Sequence, residues 1–318
     1  MSKELPLIRF CITASRSFKI LKLFEAKVEA KPIPKFLFHY TDDRGFVGIL
    51  EDGTLRFTDI FRQNDPSELR HGLSTAAEAI RMRAAKENPE RELFATSFEN
   101  FCVNGGIESS AHYLVCCFSA VGDDLGQWRA YGNNGQGYAL GFEARELESA
   151  FIASKLQPTA DYSSFPITYD DKQLREIQKE LVGLLLPSLS LSMKLMEKFE
   201  VWKEYMTLLS AKYSICAMRA ALLFKHEAYR NENEYRFLQL FAANQPPDGL
   251  KFIRRLSVVK GFRDFHWRNC CPGALRKVVI GPAADRAKAA RFVGDCLRAY
   301  NVSSSEIEVE YSNIPYRS

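Results

Sequence analysis

The apolar residues of this chain follow two periods in turn, an alternation that marks strands and a three-to-four spacing that marks helices. Lys35 to Tyr40 reads as a strand that stops at Thr41 and Asp42, both good N-caps for a short helix through Glu51. Gly53 suits the left-handed residue that ends such a helix, and Thr54 to Thr58 alternates as a second strand. The same strand, helix, strand order recurs downstream. His112 to Ser119 reads as a buried strand, and Asp123 or Asp124 as the cap of a short helix carrying Trp128 and Tyr131. Gly132, Gly135 and Gly137 then lead into a strand from Tyr138 to Phe142.

Helical spacing fills much of the rest. Phe18, Leu21, Phe24 and Val28 predict an opening helix, stopped by Pro32 and Pro34, so residues 1–31 form an N-terminal helical appendage. A loop through Asn64-Asp65-Pro66 precedes a helix from Ser74 to Lys86, whereas residues 87–110 show little pattern. From Asp170 to Arg219 the chain reads as helical, with Asp170 and Gln173 spaced like a capping box and Pro187 dividing the stretch in two. This is an inserted helical hairpin at about 171–219. Strands follow at 232–241, Lys251 to Val259 and Val278 to Ile280. A helix from Ala284 to Tyr300 and a strand from Ile307 to Tyr311 complete the chain. Scattered strands without a steady βαβα rhythm predict an α+β domain over 32–318 with a mixed or antiparallel sheet.

Composition narrows the partners. A chain of 318 residues with 46% hydrophobic and 12% aromatic residues buries a sizeable core. Its 43 Lys and Arg against 39 Asp and Glu give only +4, too little to make nucleic acid the main partner. Eight cysteines include the adjacent pairs Cys116-Cys117 and Cys270-Cys271 but no zinc or redox spacing, so no metal is expected and a reducing, cytoplasmic setting is. Charged residues interrupt every long apolar run, which predicts neither a signal peptide nor a membrane span.

The candidate chemistry sits at strand ends. If 232–241 is a strand, Glu232, Glu234 and Arg236 share one face, a wall able to balance charge on a reacting sugar or to be a wet strand end. His39, between aromatic residues and just before a helix cap, reads as a ligand group or as a satisfied core donor, with Tyr40 on the alternate face. Trp128 and Tyr131, three apart on a helix, are placed to sandwich a flat ring or to anchor the helix in the core. Ser119 closes its strand without a nucleophile elbow. Arg44, Arg56, Arg62, Arg70 and Arg129 supply forks that suit phosphate, or solvated surface charge. The glycine-rich 132–137 stretch precedes a strand and reads as a turn.

Taken as a set, Phe38-His39-Tyr40-Thr41, Asn64-Asp65-Pro66-Ser67-Glu68, Cys117-Phe118-Ser119, Gln127-Trp128-Arg129-Ala130-Tyr131 with Gly137, Glu232-Asn233-Glu234-Tyr235-Arg236, Ile280-Gly281-Pro282 and Ser312-Asn313-Ile314-Pro315-Tyr316-Arg317 resemble a bacterial family known as domain of unknown function 2971. The resemblance spans roughly 36–317, leaving out the first 30 residues and the helical region 171–219. More distantly, the His-Tyr-Thr strand end, the strand ending in Ser119 and the late Glu-x-Glu strand resemble the layout of ADP-ribosyltransferase folds.

That second likeness implies NAD as substrate, with His39 at the ribose or phosphate, Ser119 supporting the nicotinamide half, and Glu234 catalytic beside Glu232; Tyr40, next to His39, joins the expected binding set. Trp128, Tyr131 and Arg236 complete the expected binding set. The implied activity is NAD cleavage with ADP-ribose passed to water, protein or nucleic acid, in a toxin or antiphage effector. Two alternatives stand beside it. One is a non-catalytic module that binds a nucleotide or a partner protein. The other is a metal-dependent phosphodiesterase using Asp65, Glu68 and the Glu232 pair.

Overall fold

The structure, a computed structural model, describes residues 32–62, 67–84, 89–155, 157, 160–195, 199–245, 247–255, 258–302 and 306–316. The expected opening helix and the Asn64-Asp65-Pro66 loop lie outside these residues. The chain forms two compact units, one helical and one built on a sheet.

The sheet unit takes in the described residues of the spans 32–63, 113–167 and 228–318. It begins with strand β1 (Phe36–Thr41), helix α1 (Asp43–Asp52) and strand β2 (Leu55–Asp59). Asp42 caps α1 by accepting from Gly45 N–H at 2.7 Å, and Gly53 ends it at φ 62°. Both follow the sequence expectation, because a carboxylate satisfies an orphan amide and glycine alone enters the left-handed region without strain.

The helical unit comprises residues of the spans 64–112 and 168–227, more than the expected insertion. Helices α2 (Ser67–Ala84), α3 (Pro89–Val103) and α4 (Gly106–Ser110) lead in from one side of the sequence. The start of α2 lies seven residues before the expected Ser74, and α3 and α4 occupy the stretch without clear pattern. Helix α3 packs on two sides, so its apolar positions do not form the single stripe that periodicity detects. Phe94 and Phe98 pack edge-on to Tyr213 at 5.8 and 4.9 Å.

Strand β3 (Ala111–Ser119) returns the chain to the sheet, followed by α5 (Leu125–Ala130), β4 (Tyr138–Glu143), α6 (Ala144–Ala153) and β5 (Asp161–Pro166). The helical unit then resumes with α7 (Asp171–Leu195) and α8 (Phe199–Leu222). Helix α7 runs through Pro187, against the expected break. A proline costs its helix a hydrogen bond and bends it, but turns on both sides keep their own bonds.

After a 3-10 turn (Glu227–Glu232) comes β6 (Glu234–Ala242), two residues later than expected, because Asn233 takes a left-handed conformation at φ 43°. Glu232 therefore belongs to the turn and not to the strand face. Lys251 to Val259, expected as one strand, is part of a hairpin of β7 (Lys251–Arg255) and β8 (Val258–Phe265). The unit closes with α9 (Trp267–Cys270), β9 (Leu275–Ile280), α10 (Arg286–Ala299) and β10 (Glu308–Tyr311).

These ten strands make one mixed, mostly antiparallel sheet in an α+β fold. The order is β10-β9-β4-β1-β3-β2-β8-β7, with β5 on β6 and β6 on β3. β9 and β10 pair in parallel, with Val309 opposite Val278. The larger core covers one sheet face, with Leu37, Phe118, Phe142, Tyr235 and Phe237 among its strand residues. A smaller one, Tyr40, Trp128, Ala139 and Val279, covers the other.

Candidate functional site

Strand β3 has three strand neighbours, so two of them must share one of its edges. β1 meets it at Phe38 opposite Ser119, and β2 meets it at Leu114 and Val115. In the interval between those pairings the Cys117 carbonyl accepts from the His39 ring, with Nδ1 at 3.2 Å. The carbonyl only accepts, so Nδ1 carries the proton and Nε2 presents a lone pair. Burial lowers the imidazole pKa below its ordinary value of 6.5, partly countered by the Cys117 bond, which keeps the ring neutral near pH 7.

His39 lines a groove of about 1130 Å³ beside α1. The ends of β1 and β2 form its base, Arg44 and Glu51 border it on α1, and Tyr131, Phe262 and Phe292 contribute aromatic walls. Gly48 of α1 faces open space there, with no atom within 4 Å of where a Cβ would stand. The acids around the groove are mostly engaged. Asp42 caps α1, and Asp52 lies 4.0 Å from Arg56, whose guanidinium rests on the Phe262 ring at 4.8 Å. Among the described residues Arg44 has no carboxylate partner and remains available to an anion.

The other expected residues divide sharply. Tyr40 and Tyr131 reach the same groove as His39, Tyr131 with 44% exposure. Trp128 is fully buried with its ring 4.7 Å from Tyr40, so Trp128 and Tyr131 do not form a sandwich. Helix α5 ends at Ala130, and Tyr131 has left the helical conformation that would align the two rings. Ser119 is also buried, donating to the Glu232 carbonyl at 2.8 Å and accepting from Val121 N–H.

Glu234 and Arg236 do share a face, as strand alternation requires. Glu234 Oε1 accepts from Arg236 Nε at 2.8 Å and Nη2 at 2.7 Å, deep inside the protein. Because Tyr235 and Phe237 belong to the larger core, this pair stands on the opposite sheet face. His39 lies on the larger-core side, 5.7 Å from the Phe118 ring. His39 and Glu234 thus approach Cys117 from two sides, one at its carbonyl and one at its thiol. Burial, then the Glu234 carboxylate, raises the thiol pKa well above its ordinary value, so a protonated Cys117 donates to Glu234. Glu234 is not among the residues lining the groove.

Asp124 caps α5, and the other cap candidate, Asp123, has a role that sequence reasoning missed. Its Oδ1 accepts from Trp128 Nε1 at 2.8 Å and Ser312 Oγ at 2.6 Å, and its Oδ2 from Asn313 N–H at 2.9 Å. The signal was the pairing of an Asp-Asp cap with a late Ser-Asn motif, but nothing in local spacing links positions so far apart.

The His39 geometry carries a stability prediction. A folded-state pKa below the unfolded value means the unfolded chain binds the extra proton first, so stability present above about pH 6.5 is lost as pH falls toward the folded value. His39→Gln is expected to lose less stability than the wild type between about pH 7 and about pH 5.5 in denaturant titrations. Equal losses would place the imidazole in solvent.

Comparison with known proteins now adds the family. Residues 127–237 match the model of a protein family described as "Protein of unknown function (DUF2971)". That stretch is similar to DUF2971. The match bears out the family resemblance, and it runs across α7 and α8, which the motif reading had set outside the family. It takes in Trp128, Tyr131, Glu234 and Arg236 and ends before reaching back to His39. No curated protein matches the chain. No solved structure matches it either. Among the described residues, no helix is long and apolar enough to cross a membrane.

Proposed function

We propose that the sheet unit binds a nucleotide of the NAD or ADP-ribose class in the groove beside α1. One observation carries the reading: a bare acceptor at His39, the available guanidinium of Arg44 and the half-exposed Tyr131 ring border the same groove. These groups suit a sugar hydroxyl, a phosphate and a flat base respectively, since a lone pair takes a hydroxyl proton, an arginine fork takes phosphate and an aromatic face takes a ring. A volume of about 1130 Å³ accommodates a ligand of that size.

Calorimetric titration with ADP-ribose and with NAD tests this directly. Arg44→Ala is expected to weaken binding about tenfold, or about 1.4 kcal/mol, the scale of one lost charge-assisted contact. Absence of binding by the wild type at millimolar ligand would defeat the reading.

A second reading, cleavage of the nicotinamide bond with transfer of ADP-ribose to water, protein or nucleic acid, is favoured by the shared contact of His39 and Glu234 with Cys117. A carboxylate near the ribose would stabilise the oxocarbenium-like state more than the ground state. Since Glu234 stands on the sheet face opposite His39, it requires Glu234 to leave Arg236 and the ribose to be bound on that face instead of in the groove. Nicotinamide release by the wild type and its loss in Glu234→Gln would favour cleavage, and binding without release would favour the module. The metal-dependent reading has no described site, because Asp65 and the Glu68 side chain lie outside the described residues.

A further inference from the structure

We propose that Asp123 is a positioning residue for the groove, acting through a strap formed by Ser312, Asn313 and Ile314. The proposal rests on the nucleotide reading for its ligand, but its geometry stands independently. The Asp123 carboxylate ties its own turn and the adjoining α5, through the Trp128 indole, to a strap distant in sequence, through Ser312 Oγ and Asn313 N–H. The strap is fixed from its other side, since Ser312 N–H donates to the Ile280 carbonyl at 2.8 Å and Ile314 N–H to Ser312 Oγ at 3.2 Å. Ser312 is buried, and Ile314 packs against the Tyr40 and Trp128 cluster.

That cluster meets the groove at Tyr40. The indole held by Asp123 packs against the Tyr40 ring, whose hydroxyl donates to the Val121 carbonyl at 2.9 Å and accepts from Asp124 N–H at 3.1 Å. Tyr131, at the end of the same short helix, is held by its N–H on the Gln127 carbonyl at 2.9 Å. Tyr40 and Tyr131 both line the groove, so a carboxylate that is not part of the lining holds in place two residues that are. Three donors converge on a single acidic side chain. An amide in its place meets at least one of them with a hydrogen, and Trp128 Nε1 has no water to turn to.

The test compares wild type, Asp123→Asn and Ser312→Ala by amide hydrogen exchange and by calorimetric titration with ADP-ribose. Exchange is expected to accelerate at residues 125–131 and 312–314 in both variants while β4 and β9 stay protected, and ADP-ribose affinity to fall about fivefold, the scale of one net hydrogen bond. Ser312→Ala removes one of the three donors to Asp123, together with the acceptor of Ile314 N–H, and keeps the carboxylate, so it serves if Asp123→Asn does not fold. Unchanged exchange at 125–131, or acceleration spread evenly over the sheet unit, overturns the proposal. If the wild type binds no ADP-ribose, the nucleotide reading fails while the exchange pattern still decides the role of Asp123.

Discussion

Arg236→Met is expected to lower the free energy of unfolding by about 3–5 kcal/mol, because removing one partner of a buried ion pair leaves the other charge without its compensation. Arg236 is 2% exposed and Glu234 6%, and two guanidinium nitrogens converge on Glu234 Oε1. The loss exceeds what a surface pair gives, about 0–1 kcal/mol, since water does not reach either group to replace the contact. A buried carboxylate deprived of its cation is stabilised by taking up a proton. The deficit of the variant relative to wild type should therefore shrink as pH falls from about 7 to about 5. Adding Glu234→Gln should recover part of it, because a neutral amide buries at lower cost than an unpaired charge. Urea titrations of the three proteins at both pH values measure all of this. A single-variant loss below about 1 kcal/mol would mean that water or another group replaces the guanidinium.

The ion pair also shows what a linear reading of residues reveals and what it misses. Alternation alone put Glu234 and Arg236 on one face, and caps alone located α1 between Asp42 and Gly53, because both depend on neighbours within a few residues. Glu232 fell out of the strand because Asn233 turns left-handed, a conformation asparagine tolerates but does not announce. Helix α6 carried a local signal that went unread: Glu143 caps Glu146 N–H, with Leu147 and Phe151 four apart and buried. Strand β5 gave little signal, since Tyr162 and Phe165 are its buried aromatic positions and break simple alternation.

The site was legible only in part, for a different reason. His39, Tyr40 and Tyr131 reach one groove because β1, α1 and the end of α5 border it. Which sheet face receives Glu234 depends instead on the pairing of β6 with β3 and on Tyr235 and Phe237 entering the larger core. Long-range pairings of this kind leave no trace in the spacing of either strand. Trp128 and Ser312, both in the motif set read from the sequence, hold segments together here through Asp123.

Trp128→Ala should be as damaging as loss of the ion pair, about 3–5 kcal/mol, but by another route. Trp128 is among the largest fully buried side chains and fills the smaller core between Tyr40, Ala139 and Val279. Truncation removes its apolar contacts and leaves a cavity that neighbouring strand residues cannot close, because Ala139 and Val279 are fixed by pairing of β4 with β9. It also strips one donor from Asp123. Trp128→Phe separates the two effects, keeping most of the ring volume while losing the Nε1 bond to Asp123. If packing dominates, the phenylalanine variant should lose only about 1–2 kcal/mol, the scale of one buried hydrogen bond and a modest volume change. If the indole N–H is the main tie between α5 and the strap, phenylalanine and alanine should destabilise alike. In that case both should loosen the Tyr40 side of the groove to the same degree.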